Sequence, residues 1–210
     1  MQRLTATTAI VLLTAAVSAL VTLSPYAQDI QLLAGFIPAR LSGVVSFATV
    51  MAVPVWLTPL SSALIHAGFL HLGMNMLMLG FTGRETERAL GSAGLVILYL
   101  VGAYAAALAQ WAAGPLSTAP MIGASGAASA VVGAYSLLYG QSKAKAFGPI
   151  PARVIHVAWL AVAWTLVNWM MAAAFQRAGD ITIAAAAHIG GFLAGLALAG
   201  PLLRWHWRKA

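Results

Sequence analysis

Met121-Ile122-Gly123-Ala124-Ser125-Gly126-Ala127-Ala128-Ser129-Ala130 opens an apolar run that ends at Lys143, and it sets a serine between two glycines. Gly123 and Gly126 let backbone come close to the hydroxyl and permit a tight entry into a helix. A helix beginning at Ser125 leaves its first N–H groups without internal partners, at the end where negative charge is favoured. A serine nucleophile and its oxyanion require this geometry. The same residues also make an ordinary loop-to-helix junction, so the surroundings decide. An α/β-hydrolase elbow is excluded, because it needs glycine two residues after the serine, where Ala127 stands.

Around that stretch, 61% of the 210 residues are hydrophobic and 7% are charged, with a mean hydropathy of +0.89. A soluble domain is not built this way; repeated long apolar runs indicate an all-α, polytopic membrane bundle. The 11 basic and 4 acidic residues give a net charge of +7. The positives lie between apolar runs, as topology signals, and no basic patch interleaved with exposed aromatics suggests nucleic acid. The absence of cysteine excludes disulfides, thiolate nucleophiles and cysteine metal sites.

The runs predict six spans in one domain over 1–210: roughly 6–24, 60–81, 93–113, 125–141, 154–174 and 181–203. The first could be read as a signal peptide ending near Pro25-Tyr26-Ala27-Gln28, but its length of about 18 residues favours an uncleaved span. Pro25, Pro38, Pro54 and Pro59 punctuate the stretch between the first two spans, and Leu41 to Leu57 within it is marginal for crossing. It reads as part of a long, partly embedded loop, with a seventh span as the alternative.

Six spans with Arg3 inside place Arg84, Arg88, Lys143, Lys145, Arg153, Arg204, Arg208 and Lys209 on the same side. Arg40 and Arg177 remain outside, a strong positive-inside pattern. Lys143 marks the inner interface, and Ser125 lies about 27 Å above it at the helical rise, near the outer boundary of a ~30 Å core.

Other polar residues converge on that level. His71 and Asn75 are four apart and share one helix face. His188 lies near the outer end of the last span, with Gly191 and Gly195 following on its face. Gly126, Ser129, Ala130 and Gly133 offer a matching face of small residues, so the two helices can pack closely. Polar side chains within a membrane are costly and usually functional.

These residues resemble the rhomboid intramembrane serine proteases. The resemblance runs from about Pro38 onward and rests on four ordered motifs. They are His66-x4-His71-x3-Asn75, Gly83-x3-Glu87-x3-Gly91, Gly123-Ala124-Ser125-Gly126 and Ala187-His188-x2-Gly191-x3-Gly195. It implies a six-span core and cleavage of membrane proteins in or near their transmembrane helices. By motif position, Ser125 becomes the nucleophile, His188 the general base, and His71 and Asn75 the side-chain oxyanion donors. It implies no cofactor or metal; its partners are transmembrane substrates and the bilayer. The expected location is a bacterial cytoplasmic membrane, with the site opening outward. The competing classes are a transporter and a non-catalytic protein that binds membrane helices. Some family members carry an aromatic four residues after the serine, stacked on the base; here that position is Ser129.

The remaining features have plainer readings. His66 is expected to hold the long loop by a structural hydrogen bond, and His156 and His206 to sit at the inner interface. Glu85, Glu87, Arg84 and Arg88 read as a solvated inner loop, with Glu87 bracing helix ends. Trp159, Trp164 and Trp169 read as lipid contacts. Metal binding lacks a third ligand beside His71 and His188. No carboxylate is expected beside His188: Glu85 and Glu87 lie across the membrane, Asp29 in the outer loop, and Asp180 eight residues upstream.

Overall fold

A computed structural model describes residues 4–47, 51–140, 144–178 and 184–208. Within these the chain is helical, without a β-strand beyond two isolated bridges. Helix α1 (Ala6–Leu23) is followed by three short helices, α2 (Ala27–Ala34), α3 (Pro38–Leu41) and α4 (Thr58–Ser62). The long helices are α5 (Phe69–Ala113), α7 (Ala152–Ala178) and α8 (Ala185–Trp207), with the shorter α6 (Ser125–Tyr139) between α5 and α7. Helices α5, α6 and α8 pack on one another as the centre; α1 lies on α5, and α7 lies mainly on α8.

The burial pattern inverts that of a soluble bundle. Helix α1 buries Thr7, Thr14 and Ser18, while Leu20 and Leu23 are 73% and 74% exposed. Lipid tails are as apolar as leucine, so leucines gain nothing by turning inward, and small or hydroxyl-bearing residues take the contact face. Among the described residues, four helices, α1, α5, α7 and α8, are long and apolar enough to cross a membrane.

Helix α5 is two helices joined at Gly91, whose φ of 72° no other residue adopts readily. A Cβ there would also stand 2.6 Å from the His206 ring. Its arms, residues 69–90 and 92–113, are each about 33 Å long at the helical rise, enough for a ~30 Å core. The expected span at 60–81 is therefore displaced. Residues 63–68 are not helical, and the helix runs from Phe69 through the charged segment to Leu90. Arg84, Glu85, Glu87 and Arg88 are thus helical, not a loop. Glu87 is 8% exposed and accepts from Ala6 N, Thr7 N, Thr7 Oγ1 and Ser92 Oγ. One carboxylate thereby caps the start of α1 and ties it to the bend in α5. The last span, expected at 181–203, begins at Ala185 and reaches Trp207.

Helix α6 has 15 residues, about 22 Å. Its first half is surrounded by protein: Gly126 to Val131, Gly133 and Ala134 are buried. A Cβ on Gly191 would collide with the Gly126 carbonyl, and one on Gly195 with the Ala130 carbonyl. A Cβ on Gly126 would lie 2.5 Å from that of Ala106 on α5. These glycines set α6 and α8 at backbone contact. Leu79, Leu90, Leu95, Leu98 and Tyr99 complete the core beside α6.

The loop from 24 to 68 frames the Ser125 end. Phe36 bridges Met121, and Ala39 N donates to Ser117 O at 3.0 Å. Ser61 Oγ reaches Ala34 O at 2.6 Å, and Arg40 Nη2 reaches Val53 O at 2.9 Å. The described part of Leu41–Leu57 forms no spanning helix: Pro54 precedes a 3₁₀ turn at Val55–Leu57. Arg3, Lys143, Lys209 and Asp180 lie outside the described residues.

Candidate active site

Ser125 is the first residue of α6, and the turn before it is built from glycine geometry. Gly123 has φ 115°, and a Cβ on it would stand 2.7 Å from His71 Cε1 and 2.9 Å from His71 Nε2. Both the conformation and the lack of space demand glycine there. Gly123 N donates to Ser62 O at 2.9 Å, anchoring the turn to α4. Ala124 then enters helical φ/ψ, leaving the first N–H groups of α6 free of partners within the helix.

The Ser125 hydroxyl lies 2.7 Å from Nε2 of His188. His188 stands in the first turn of α8, its own N–H bonded to Ala184 O at 3.2 Å. Backbone contact through Gly191 brings this turn onto the start of α6. The two residues are half-buried.

His188 Nδ1 lies 2.6 Å from Oδ1 of Asn168 on α7. One turn earlier, Trp164 donates from Nε1 to His188 O at 3.2 Å and stacks on Phe192, ring centroids 4.8 Å apart. Sequence reasoning misses Asn168 and assigns Trp164 to lipid. The available signal is a lone amide in an apolar span, which the cost of burying it makes conspicuous. Trp159 and Trp169, exposed at 65% and 67%, do face outward. Ser129, in place of an aromatic, is 1% exposed and donates to Ser125 O at 2.7 Å.

His71 and Asn75 lie in the first two turns of α5. The His71 ring edge sits against Gly123, two residues before the serine. Its Nδ1 accepts a long bond from Ala67 N at 3.5 Å, which leaves Nε2 as the N–H donor of a neutral ring. Asn75 is 4% exposed and bonds from Nδ2 to His71 O at 2.8 Å. Its buried Oδ1 has no partner among the described residues.

His66 does more than hold the long loop. It is fully buried, accepts from Ala124 N at 3.2 Å through Nε2, and meets Ser18 Oγ at 3.2 Å through Nδ1. It packs edge-on against His71, centroids 4.9 Å apart. This imidazole therefore joins α1 to the turn that presents Ser125. Chemically, the assembly is a hydroxyl beside a basic nitrogen at a helix N-terminus, next to two further polar side chains. Such a group can attack an electrophilic carbonyl and receive the resulting negative charge.

A family profile for the rhomboid domain matches residues 54–205. The mitochondrial Rhomboid protein 1 of Saccharomyces cerevisiae is 35% identical over 156 residues, covering 72% of this chain and 42% of that protein. The Rhomboid protease GlpG of Pectobacterium atrosepticum is 30% identical over 177 residues, covering 80% of this chain and 58% of that protein. GlpG of Serratia proteamaculans is 31% identical over 139 residues, or 66% and 45% of the two chains. The chain thus spans about half the length of the curated relatives it matches. With that match across the α5–α8 core, this chain belongs to the rhomboid family.

Proposed function

We propose that the protein is an intramembrane serine endopeptidase that cuts other membrane proteins in or near their transmembrane segments. The observation that carries this reading is the 2.7 Å contact between Ser125 Oγ and His188 Nε2 at the start of a helix enclosed by its neighbours. In the proposed reaction Ser125 Oγ attacks the scissile carbonyl and its proton passes to His188 Nε2. The tetrahedral oxyanion is met by the Ser125 N–H and by the side chains of His71 and Asn75. His188 then protonates the leaving amine, and water resolves the acyl-enzyme by the same route in reverse.

The two arms of α5, with α1, α6, α7 and α8, make six crossings in this reading. The positive-inside distribution directs the Ser125 end outward from a bacterial cytoplasmic membrane. Transmembrane proteins diffusing in the same bilayer are the substrates, and no cofactor takes part. The test is labelling by a fluorophosphonate probe together with cleavage of a reporter transmembrane substrate. Wild type should do both and Ser125→Ala neither, with unchanged thermal unfolding in detergent; comparable cutting by Ser125→Ala would overturn the proposal.

A further inference from the structure

We infer that Asn168 is the positioning residue of the site, and that it selects which nitrogen of His188 acts as the base. The inference rests on the serine–histidine reading of the site.

One atom in the chain of contacts has no choice of role. The Trp164 carbonyl can only accept, and Asn168 bonds to it at 2.9 Å, so the group facing it must be the Nδ2 amide. That contact fixes the rotation of the Asn168 side chain about its last bond. Oδ1 then faces His188, 2.6 Å from Nδ1. An amide oxygen is an acceptor only, so His188 Nδ1 must carry a proton. A neutral imidazole has one N–H, which leaves the lone pair on Nε2, the nitrogen 2.7 Å from Ser125 Oγ. The relay Trp164 O, Asn168, His188, Ser125 therefore has one direction. The opposite tautomer would set the Nδ1 lone pair against Oδ1 and aim an N–H at the hydroxyl, and such a ring cannot take the serine proton.

The device fits its surroundings. Asn168 is 4% exposed, so water does not compete for Oδ1. Trp164 holds the same histidine from a second point, its indole N–H on His188 O. Both contacts come from one face of α7, one turn apart. Together they supply the orientation that a stacked aromatic at position 129 would give, and Ser129 is engaged with its own helix. Because the orienting group is an amide, the positive charge of the imidazolium formed during attack is met at Nδ1 by a neutral dipole in place of a carboxylate.

The experiment compares Asn168→Leu and Asn168→Asp in the full chain. Leucine keeps the volume and removes the acceptor; aspartate keeps an acceptor at Oδ. Turnover of the reporter substrate should fall on the order of 10- to 100-fold in Asn168→Leu with KM little changed. That loss is part of the 10²–10⁴ that positioned proton transfer contributes. Asn168→Asp should retain more activity than Asn168→Leu. A residue that merely filled space would give the reverse order, because leucine suits a buried helix face and aspartate does not. The second readout is ¹⁵N NMR of imidazole-labelled protein in micelles, with His188 assigned by its absence in His188→Gln. Wild type should show the Nδ1–H tautomer, and Asn168→Leu a mixture, provided thermal unfolding shows both folded. The spectrum needs no turnover, so it stands even if both variants prove inactive. An Nε2–H tautomer in wild type, or unchanged turnover in Asn168→Leu, would overturn the inference. Failure of wild type to label with the fluorophosphonate would instead remove the serine–histidine reading beneath it.

Discussion

At one end of the bundle the Glu87 carboxylate accepts from two backbone N–H groups and two hydroxyls, and both its oxygens are engaged. At the other end Asn75 keeps a buried Oδ1 with no partner among the described residues, and Ser125 meets a lone pair rather than a saturated acceptor. Both ends place costly polar groups at the rim of an apolar body, yet only one is fully satisfied. A saturated cluster can do nothing but hold helices together, since every donor and acceptor is already matched. The Asn75 amide gives one Nδ2 hydrogen to His71 O and carries a second, and a substrate oxyanion can accept from it. The comparison separates fastening from chemistry, and it can be broken by substitutions that trade the two roles.

The largest expected effect on turnover is at the base. His188→Ala removes the proton acceptor and should lower substrate cleavage by on the order of 10⁴–10⁶, as loss of one member of a nucleophile–base unit does. Detergent stability should fall modestly, by about 1–3 kcal/mol, because loss of the ring leaves the buried Asn168 Oδ1 without its partner. Cleavage within tenfold of wild type would refute the assignment.

Asn75→Ala and His71→Ala come next. A single lost oxyanion donor costs on the order of 10²–10³ in turnover where donors do not substitute for one another. The Ser125 N–H provides redundancy, so the single losses should be smaller and the double variant should approach the full range. KM should change less than kcat. Unchanged turnover in the double variant would take these residues out of the site and leave the second Nδ2 hydrogen of Asn75 without a role in it.

Glu87→Ala should do the reverse: weaken the fold and spare the chemistry. It orphans Ala6 N, Thr7 N, Thr7 Oγ1 and Ser92 Oγ together, at about 2–4 kcal/mol once non-additivity is allowed for. The melting temperature should drop, while probe labelling per folded molecule stays near wild type. Loss of labelling at full stability would erase the distinction between the two ends.

Legibility in the sequence divides along the same line. Ser125, His71, Asn75 and His188 stand out because polar side chains in apolar runs are expensive, and the Gly126/Gly191 spacing announces how α6 and α8 meet. Asn168 carries the same signal, a lone amide in an apolar span, but no glycine or histidine partner at helical spacing draws attention to it. Its contact with His188 depends on the rotation of α7 about its axis, which a helix apolar on all sides does not encode in its pattern. Trp164 is misassigned for the same reason. The second span slips by nine residues because hydropathy stops at the charges near Arg84, whereas the helix continues until Glu87 reaches the α1 N-terminus. That reach is a tertiary fact, as is the docking of the 24–68 loop on Met121 and Ser117.

The smallest effect is expected of the remaining acids, and it tests whether a negative charge has any part in the site. Asp29 is exposed in the first turn of α2, where its interaction with the helix terminus is worth about 0.3–1 kcal/mol. Asp29→Ala should therefore leave turnover unchanged and stability nearly so. Glu85 pairs with Arg88 at 2.5 Å at the end of the bundle away from Ser125. Asp180 precedes His188 by eight residues in sequence. Valence argues against its taking part: neutral His188 has a single N–H, on Nδ1 if Nε2 is to accept the serine proton, and Asn168 Oδ1 already occupies that direction at 2.6 Å. A carboxylate could enter only by displacing the amide. Asp180→Ala and Asp29→Ala, measured beside His188→Ala under identical conditions, should thus keep most of the wild-type rate. A collapse in Asp180→Ala equal to that of His188→Ala, with folding intact, would show that an acid orients the base. The contrast between a saturated carboxylate at one end and an amide-oriented base at the other would then fail.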